Sequence, residues 1–465
     1  MRVYDTRSRE LREFKPLKGN RVTMFVCGPT VYDLSHIGHA RTYVAYDIIA
    51  KFLRYRGYSL FYLMNITDID DKIISRASEL GVSPFELSKK MTEEFFADLQ
   101  SLRIDSINLF AKASEHIPEI ISQIRTLLEK GYAYTVNGDV YYDITKFPEY
   151  GKLSRQKPEE LVKHRIDPNP NKVNMGDFAL WKKNKPGEPA WESPWGLGRP
   201  GWHIEDTAIT VNYLGCSYDI HGGAIELIFP HHEAEIAQAE AATGVKPLVN
   251  FWVHTGVLTI KGQKMSKSLK NFITIKDALK KYSAEVLRYF FASSHYRSPL
   301  DYDEEKMRQA YENVQSLNRT YREMCERVKN LEDSSSSDEK FLQQVEEIMA
   351  GLNSVMEDDF NTPQALSYLM RLSKQANIYL SQTPSKKGLK QAIQAFETFD
   401  SIFGFIQPSR EGGEIIGKVI EILLDVREEL RSRRMYDLSD MIRKRLLEAG
   451  VIVEDSPPKA KWRLA

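Results

Sequence analysis

The fold of this chain is decided by the stretch Cys27-Gly28-Pro29-Thr30-Val31-Tyr32-Asp33-Leu34-Ser35-His36-Ile37-Gly38-His39. An apolar run, Val22 to Val26, precedes it, and an amphipathic pattern at helical spacing follows. A second apolar run, Leu60 to Met64, comes next. Strand, loop, helix and strand in this order predict a parallel βαβ unit. Because the loop places a thiol and two imidazoles where the helix begins, and helix N-termini favour anions, it predicts a nucleotide site beside a thiol.

Composition bounds the class of protein. The 465 residues allow several domains, and 64 basic residues balance 64 acidic ones, so any RNA-binding surface must be a local patch. The odd number of cysteines, 3, argues against a disulfide framework and favours a reducing compartment. No apolar run approaches the roughly 20 residues that span a bilayer. We therefore expect a cytoplasmic protein without a membrane anchor or signal peptide.

Polar residues gather at the predicted carboxyl edge of the sheet. Asn65 to Lys72 follows the second strand directly, which places Thr67 near Cys27 and His36, since ligands of open α/β sheets bind at this edge. Histidines concentrate in two windows, residues 36–39 and 203–254, which suggests that these windows meet at one site. The second window predicts a strand from Asp219 that runs into a glycine turn, and a helix from His231 to Ala242.

Two short motifs carry groups suited to phosphate. His36-Ile37-Gly38-His39 places two imidazoles three residues apart, and Gly38 leaves room for a flat ring to approach the backbone. Lys264-Met265-Ser266-Lys267-Ser268 offers two ammonium groups on a predicted loop, and lysines bind phosphate as point charges. Alone, each motif also fits a helix start with incidental histidines or a solvated basic loop. Together they predict a catalytic phosphate clamp, whose members are His36, His39, Lys264 and Lys267.

The sequence resembles a known family. His-Ile-Gly-His followed by Lys-Met-Ser-Lys-Ser is the paired signature of class I aminoacyl-tRNA synthetases. Within that class the chain resembles the cysteinyl-tRNA synthetase family, and the likeness covers essentially the whole chain. The blocks that carry it are Phe25 to Asp33, Asn65 to Lys72, Gly201 to Glu205, Phe229 to Glu233, Asp358 to Pro363 and Trp462-Arg463.

The resemblance implies one Zn²⁺ per subunit, held in that family by two cysteines, a histidine and a glutamate, and binding the substrate's thiolate. The matching positions are Cys27, Asp206, His231 and Glu235. Asp206 departs from the family, which has cysteine there. We expect Asp206 to be a ligand nonetheless, because carboxylate is an accepted zinc ligand with the formal charge of thiolate. The rivals are Cys216 as the second sulfur, and a weak or absent metal with Cys27 an ordinary buried thiol.

The resemblance also implies a two-step reaction. The carboxylate of L-cysteine attacks the α-phosphate of ATP, which carries Mg²⁺, and pyrophosphate leaves as the adenylate forms. The cysteinyl group then passes from the adenylate to the 3′ end of tRNA(Cys), and AMP leaves. The residues implied for ATP are His36, Gly38, His39 and Lys267. Those implied for cysteine are Thr67, Trp202 and His221. Gly223-Ala224-Ile225-Glu226 departs from the family's usual glycine, serine and aspartate, so contacts drawn from that turn do not carry over.

The C-terminal part predicts the contact with tRNA. Residues 414–448 read as one basic helix, before a short strand at Val451 to Val453 and a tryptophan, Trp462, that could stack on an unpaired base. Its basic residues are Arg427, Arg431, Arg433, Arg434, Arg443, Lys444 and Arg445. The alternative is a solvated helix face with a packing tryptophan. We expect a monomer that binds tRNA(Cys).

The predicted fold class is α/β: a nucleotide-binding parallel-sheet (Rossmann-like) catalytic domain with an insertion, then a helical bundle and a small C-terminal anticodon-binding domain. The predicted catalytic halves are 1–111 and 201–260, flanking a connective insertion at 112–200 with a hairpin at Asn137-Gly138. Residues 261–310 hold the Lys-Met-Ser-Lys-Ser loop and a stem-contact region. The bundle spans 311–408, with a linker at Ser334 to Ser337, and the C-terminal domain spans 409–465.

Two other functions compete. An ATP-dependent ligase that joins cysteine to an amino sugar would need the zinc and both phosphate motifs, but no anticodon-reading domain, so the basic segment 414–465 argues against it. A non-enzymatic RNA-binding paralogue is opposed by the intact histidines and lysines of both motifs.

Overall fold

The computed structural model describes residues 1–156, 172–265, 271–331, 338–406, 411–433, 435–454 and 461–464. Its contacts divide the chain into two units, Met1–Ile406 and Gln407–Ala465. Lys267, Arg434 and the linker predicted at Ser334 to Ser337 lie outside the described residues. No helix within the described ranges has the length and apolar character needed to cross a membrane.

The first unit combines a parallel sheet with helices and smaller sheets. Its strands are β1 (Arg2–Asp5), β2 (Glu10–Glu13), β3 (Arg21–Val26), β4 (Ser59–Ile66), β5 (Leu109–Lys112), β6 (Ala133–Val136), β7 (Asp139–Tyr142), β8 (Phe178–Lys183), β9 (Gly198–Pro200), β10 (Tyr218–Ala224), β11 (Val249–Thr255), β12 (Leu258–Ile260), β13 (Gln263–Lys264) and β14 (Leu300–Tyr302). Its helices are α1 (Ile37–Tyr55), α2 (Asp71–Leu80), α3 (Pro84–Ser101), α4 (Ile117–Glu129), α5 (Ile204–Leu214), α6 (Glu233–Thr243), α7 (Ile275–Lys281), α8 (Ala284–Ala292), α9 (Glu304–Lys329), α10 (Glu339–Met356), α11 (Thr362–Leu380) and α12 (Lys386–Phe403).

The central sheet has the strand order β11-β10-β3-β4-β5, and every pairing in it is parallel. Val26 at the end of β3 lies opposite Met64 of β4 on one side and Gly222 of β10 on the other. The chain passes from β3 to β4 and returns much later to β10, so its connections diverge beside β3. Open α/β sheets bind ligands at such a point, outside the carboxyl ends of the strands. The βαβ unit predicted for residues 22–64 is confirmed.

Alternation along β3 sends neighbouring side chains to opposite faces of the sheet. Met24 and Val26 pack in the core that contains α1, where Val44, Ile48 and Phe52 are buried. Phe25 and Cys27 pack in a second core, with residues of α5 and α6. This alternation turns the thiol of Cys27 towards the helices that carry Asp206 and Glu235, about 180 to 210 positions further along the chain.

The expectation that Gly222 and Gly223 form a turn is wrong, because both lie within strand β10. They are small because side chains pack directly on the strand. A Cβ atom at Gly222 would lie 2.5 Å from the ring of Tyr46, and one at Gly223 would lie 2.9 Å from the ring of His232. The hydroxyl of Tyr46 accepts from the backbone N–H of Gly223 at 2.7 Å and donates to the carbonyl of Val253 at 2.6 Å.

Strands β6 to β9, which lie between α4 and α5 in the chain, form a separate antiparallel sheet of order β6-β7-β8-β9. The predicted hairpin is confirmed: β6 pairs antiparallel with β7, and Asn137 and Gly138 have φ of 54° and 93°. Two consecutive residues with positive φ match the tightest hairpin turns, for which asparagine and glycine are the usual residues. The boundaries given above for the insertion and the other domains stay predictions.

Helices α9 to α12 pack on one another in the predicted helical bundle. Residues 275–329 are not wholly helical, because β14 interrupts them and pairs in parallel with β12. A fully buried ion pair joins α8 to α1, where Arg288 donates to Asp47 at 2.7 Å. The same guanidinium donates to the carbonyl of Phe403 on α12 of the bundle at 2.7 Å.

Among its described residues the second unit has the helices α13 (Glu411–Ser432) and α14 (Tyr436–Glu448) and an antiparallel pair of strands, β15 (Val451–Glu454) and β16 (Lys461–Leu464). The single basic helix expected over 414–448 is therefore wrong, since the chain leaves helical structure between Ser432 and Tyr436. Arg427 is buried and does not belong to an exposed patch. The described basic residues that are exposed are Arg431, Arg433, Arg443, Lys444 and Arg445. Trp462 is half-buried against the small core of this unit.

Candidate active site

A cavity of about 340 Å³ opens at the carboxyl edge of the central sheet, beside β3, β4 and β10. Residues of both the predicted metal site and the predicted phosphate clamp line it. The predicted residues among its walls are Cys27, His36, Gly38, His39, Thr67, Trp202, Asp206, His231 and Lys264. Glu235 lies behind the cavity against His231, and His221 lies beneath Cys27. The structure therefore brings together the two histidine windows that the sequence separates.

The loop from Cys27 to His36 is fixed in its middle to the end of β4. The N–H of Val31 donates to the carbonyl of Thr67 at 3.2 Å, and the N–H of Thr67 donates to the carbonyl of Pro29 at 3.2 Å. Val31 and Ser35 are buried. The loop is thus held by backbone hydrogen bonds and by packing along its length.

His36 and His39 cap helix α1 for each other. Nδ1 of His36 accepts from the N–H groups of Gly38 at 3.1 Å and His39 at 3.3 Å, while Nδ1 of His39 accepts from the N–H of His36 at 3.3 Å. The two rings stack with centroids 3.8 Å apart. Because backbone N–H groups can only donate, Nδ1 is the acceptor in both rings, so in the neutral rings the proton is on Nε2.

Both rings are neutral at physiological pH. Burial lowers the pKa of His36 to about 4, although Glu226 acts in the opposite direction. Burial, followed by the nearby His36 and Lys72, holds the pKa of His39 well below its usual value. The two Nε2–H groups are therefore hydrogen-bond donors without a full positive charge, at the positive end of a helix dipole.

Lys264 ends strand β13 of a short hairpin. Asp301 of β14 holds the hairpin turn by accepting from the N–H of Gly262 at 2.7 Å and from the hydroxyl of Thr259 at 2.6 Å. The ammonium of Lys264 pairs with Glu226 at the mouth of the cavity. Beyond the undescribed residues 266–270, the chain is tied to the start of α1, since Ile37 donates to the carbonyl of Ile273 at 3.1 Å.

Cys27, Asp206, His231 and Glu235 meet at the opposite end of the site. Their ligand atoms all lie within 4.8 Å of one another, and all four residues are buried. Nε2 of His231 lies 3.0 Å from Oδ2 of Asp206 and 3.0 Å from Oε1 of Glu235. The thiol of Cys27 lies 3.4 Å from the same oxygen of Asp206. His231 is not on α6 as expected, because that helix begins at Glu233, but the preceding kinked turn still brings it to Glu235.

These four residues fit a divalent cation. Both carboxylate oxygens of Glu235 are buried without a hydrogen bond from the described residues. Burial, with Asp206 and Glu205 nearby, raises the pKa of Glu235 well above its usual value, and burial with Glu235 nearby does the same to the pKa of Cys27. Anions crowded in a dry site are costly unless a cation neutralises them. Sulfur, nitrogen and oxygen donors together form a set that zinc accepts.

A second group overlaps the first. Cys27 and Glu235 also lie within 4.8 Å of His221 and His232, measured between ligand atoms. His221 shares a hydrogen bond with the hydroxyl of Tyr218 at 2.7 Å. His232 shares one with Nε2 of His254 at 2.8 Å. Of this second group only Cys27 lines the cavity; neither His221 nor His232 is among the lining residues.

The neighbours of the first group orient its members. Nδ1 of His203 lies 2.9 Å from Nδ1 of His231, whose ring also stacks on Trp202 with centroids 4.4 Å apart. The hydroxyl of Thr67 donates to Glu205, which is buried. Cys216, the alternative sulfur ligand, is exposed and is in neither group.

Sequence reasoning missed several buried residues around the group of Cys27, Asp206, His231 and Glu235. Asn65, His203, His232 and His254 were not assigned a role, although all four were visible in the blocks or in the histidine-rich window. Their spacing along the chain gives no ligand pattern, because these residues do not share one helix face. Each contacts a side chain from another segment of the chain. The concentration of histidine in residues 203–254 was the available signal.

Comparisons with known proteins show the family of the chain. A family model described as tRNA synthetases class I (C) catalytic domain matches residues 13–312, and one described as DALR domain matches residues 352–407. A cysteine–tRNA ligase of Thermococcus onnurineus is 46% identical over 100% of this chain and 99% of its own length. One of Heliobacterium modesticaldum is 43% identical over 100% of both chains.

Solved structures share the fold at low sequence identity. The methionyl-tRNA synthetase of Mycobacterium tuberculosis bound by methionyl-adenylate superimposes with a TM-score of 0.62 at 14% identity, covering 83% of this chain and 92% of that one. This similarity supports the architecture alone. The full-length identity to curated relatives and the match of the catalytic family model show that the chain belongs to the cysteine–tRNA ligases, within the class I aminoacyl-tRNA synthetases.

Proposed function

We propose that this protein activates L-cysteine with ATP and transfers the cysteinyl group to the 3′ end of tRNA(Cys). The observation that carries the proposal is one cavity with a thiol-containing cation site at one end and a pair of neutral imidazole donors at the helix start at the other. A substrate with a thiol and a carboxylate has the chemistry of both ends. Transfer to tRNA is supported by the membership of this chain in the cysteine–tRNA ligases.

The donors of the phosphate end act by hydrogen bonding and position. Nε2–H of His36 and Nε2–H of His39 are directed away from the capping bonds and offer donors to the phosphate oxygens of ATP, where negative charge grows during adenylate formation. Lys264, which pairs with Glu226, adds a positive charge at the cavity mouth, and we propose the same role for Lys267. Gly38 lets the nucleotide base or ribose approach the backbone, since no side chain projects there. No protein nucleophile is needed, because the carboxylate of cysteine attacks directly.

We propose Cys27, Asp206, His231 and Glu235 as the ligands of a zinc ion. When bound, zinc supplies a borderline-soft Lewis acid that takes thiolate in preference to hydroxyl. Two observations favour this group over Cys27, His221, His232 and Glu235: Asp206 and His231 line the cavity, and His221 and His232 do not. His221 then contributes to cysteine binding through Cys27 rather than by touching the substrate.

Thr67 and Trp202 form the walls of the proposed cysteine pocket between the two ends. The ring of Trp202 covers His231, and the hydroxyl of Thr67 is oriented by Glu205. The second unit supplies exposed basic residues for tRNA, and we propose that it reads the anticodon. Mg²⁺ would enter with the phosphates of ATP, because this ion prefers substrate oxygens and water to an all-protein cage.

The proposal is tested by pyrophosphate exchange and aminoacylation with the full chain. We expect exchange that depends on cysteine and not on serine, and charging of tRNA(Cys). Exchange without tRNA charging, but with cysteine transfer to an amino sugar, would favour the competing ligase. RNA binding without exchange would favour the paralogue.

Metal analysis tests the ligand set. Asp206→Ala should lose its zinc, whereas the matched variant Cys216→Ala should retain it. X-ray absorption at the metal edge should report one sulfur and one imidazole. Two imidazoles would place the ion in the second group, with His221 and His232, and full zinc in Asp206→Ala would remove Asp206 from the set.

A further inference from the structure

We propose that Asn65 is a positioning residue that makes Asp206 act as a one-oxygen ligand. The inference rests on the metal site proposed above. A thiolate offers one ligating atom, whereas a carboxylate can bind through one oxygen or both. Asp206 stands where the resemblance implies cysteine, so a carboxylate that fills this position needs one of its oxygens held elsewhere. The side chain of Asn65 does this.

The orientation of the Asn65 amide is fixed by its neighbours. The N–H of Gly28 donates to Oδ1 of Asn65 at 2.6 Å, and since this backbone group can only donate, the atom facing it must be the oxygen. The NH₂ group therefore faces the other way. It donates to Oδ1 of Asp206 at 2.5 Å and lies 3.4 Å from the hydroxyl of Thr67. Asn65 is buried, so no solvent competes for these bonds.

The two oxygens of Asp206 then have different partners. Oδ1 is occupied by Asn65, and Oδ2 faces the ligand cluster, 3.0 Å from Nε2 of His231 and 3.4 Å from the sulfur of Cys27. Rotation that brought both oxygens towards a metal would break a short buried hydrogen bond. The amide thus selects monodentate binding.

The same side chain also ties two ligands together. Gly28 follows Cys27 directly, so Asn65 joins the backbone beside one ligand to the carboxylate of another. The approach is close: a Cβ atom at position 28 would lie 1.8 Å from the carbonyl oxygen of Asn65. Only glycine allows the loop after β3 to lie against the end of β4 in this way.

The experiment compares Asn65→Ala in two backgrounds. In the natural chain, loss of the orienting amide should weaken the metal by about 10- to 100-fold, measured by competition with a chelator. In the Asp206→Cys background the ligand has a single atom and needs no orientation, so the same change should cost no more than about twofold, the scatter of independent sites. Cobalt substitution supplies a second readout: the visible absorption of the Asn65→Ala protein should fall as Asp206 turns to bind through both oxygens and the site leaves four-coordinate geometry.

Asn108→Ala is the matched control. Its side chain likewise accepts from a backbone N–H of this sheet, that of Tyr62 at 2.9 Å, but it lies at the amino end of β5, away from the site. It should leave metal affinity and the cobalt spectrum unchanged.

The outcomes separate two failures. An equal loss of affinity in both backgrounds would show that Asn65 acts only through Gly28 and the loop, and would overturn the inference. An unchanged affinity in the natural background would overturn it too. Full metal in Asp206→Ala would instead overturn the ligand set, whatever Asn65 does.

Discussion

Replacement of His36 by asparagine should separate the two roles of this residue. Nδ1 of His36 caps α1, and Nε2–H is the proposed donor to phosphate. Asparagine is among the best N-cap residues, so its oxygen can keep the capping bonds, but it has no group at the position of Nε2. We expect stability to change little and kcat for adenylate formation to fall by about 10²- to 10³-fold, or about 2.7–4 kcal/mol, the usual cost of one donor to developing charge. His36→Ala should lose the same activity and, in addition, about 1 kcal/mol of stability through the lost cap.

The assay is single-turnover adenylate formation at saturating ATP and cysteine, together with urea unfolding of both variants. The pH dependence gives a further check. Burial lowers the pKa of His36 to about 4, so the ring is already neutral at pH 6.5, the pH at which an ordinary histidine titrates. His36 should therefore cause no fall in rate as the pH rises through 6.5. An inflection there that disappears in His36→Asn would show a charged ring and refute the neutral-donor argument. An unchanged kcat in His36→Asn would refute the donor role itself.

Three further predictions follow from contacts described above. Arg288→Met should destabilise the first unit by about 3–5 kcal/mol in urea unfolding, because it leaves the buried carboxylate of Asp47 without its main partner. Adding Asp47→Leu should restore part of the lost stability. Equal stability of the single and double variants would contradict this prediction. Gly222→Ala should lower the free energy of unfolding by about 1–3 kcal/mol, because the added methyl group overpacks against Tyr46. Thermal unfolding measures the loss. A melting temperature equal to that of the natural protein would show that the ring of Tyr46 moves aside without cost. A chain ending at residue 406 should keep cysteine-dependent pyrophosphate exchange and lose most aminoacylation, whereas undiminished charging would show that the second unit is not needed for tRNA.

The parts of the fold that the sequence predicted are those with local signals. The run from Val22 to Val26, the helical spacing after His36 and the pair Asn137-Gly138 each contain their structural reason within a few residues. The glycines of β10 do not. The sequence cannot tell a turn at Gly222 from a strand, because the small size of glycine has two possible causes, conformational freedom or a close neighbour. Here the cause is the neighbour, Tyr46, which lies 176 positions away in the chain.

In the candidate site, too, some residues could be predicted from the sequence, whereas others depend on contacts between distant segments. The resemblance implies its four candidate ligands, and the structure brings those four side chains together. The supporting residues could not be predicted, because Asn65 and His203 act on Asp206 and His231 through bonds between distant segments. The prediction of an exposed basic patch is wrong at Arg427 for a related reason, since charge alone does not reveal which arginine is buried.

The loop held between β3 and α1 has a consequence for substrate length. A thiol-binding ion tells cysteine from serine, but it does not tell cysteine from homocysteine, since both present a thiolate. The backbone bonds between Val31 and Thr67 and between Thr67 and Pro29 hold the middle of the loop that separates Cys27 from His36, and the proposed sulfur and phosphate ends lie on either side of it. A substrate with one more methylene would seat its sulfur or its carboxylate, but not both. We expect this loop, by keeping the two ends at a set separation, to lower kcat/KM for homocysteine by about 10- to 200-fold relative to cysteine, the range typical of one methylene in a closed pocket.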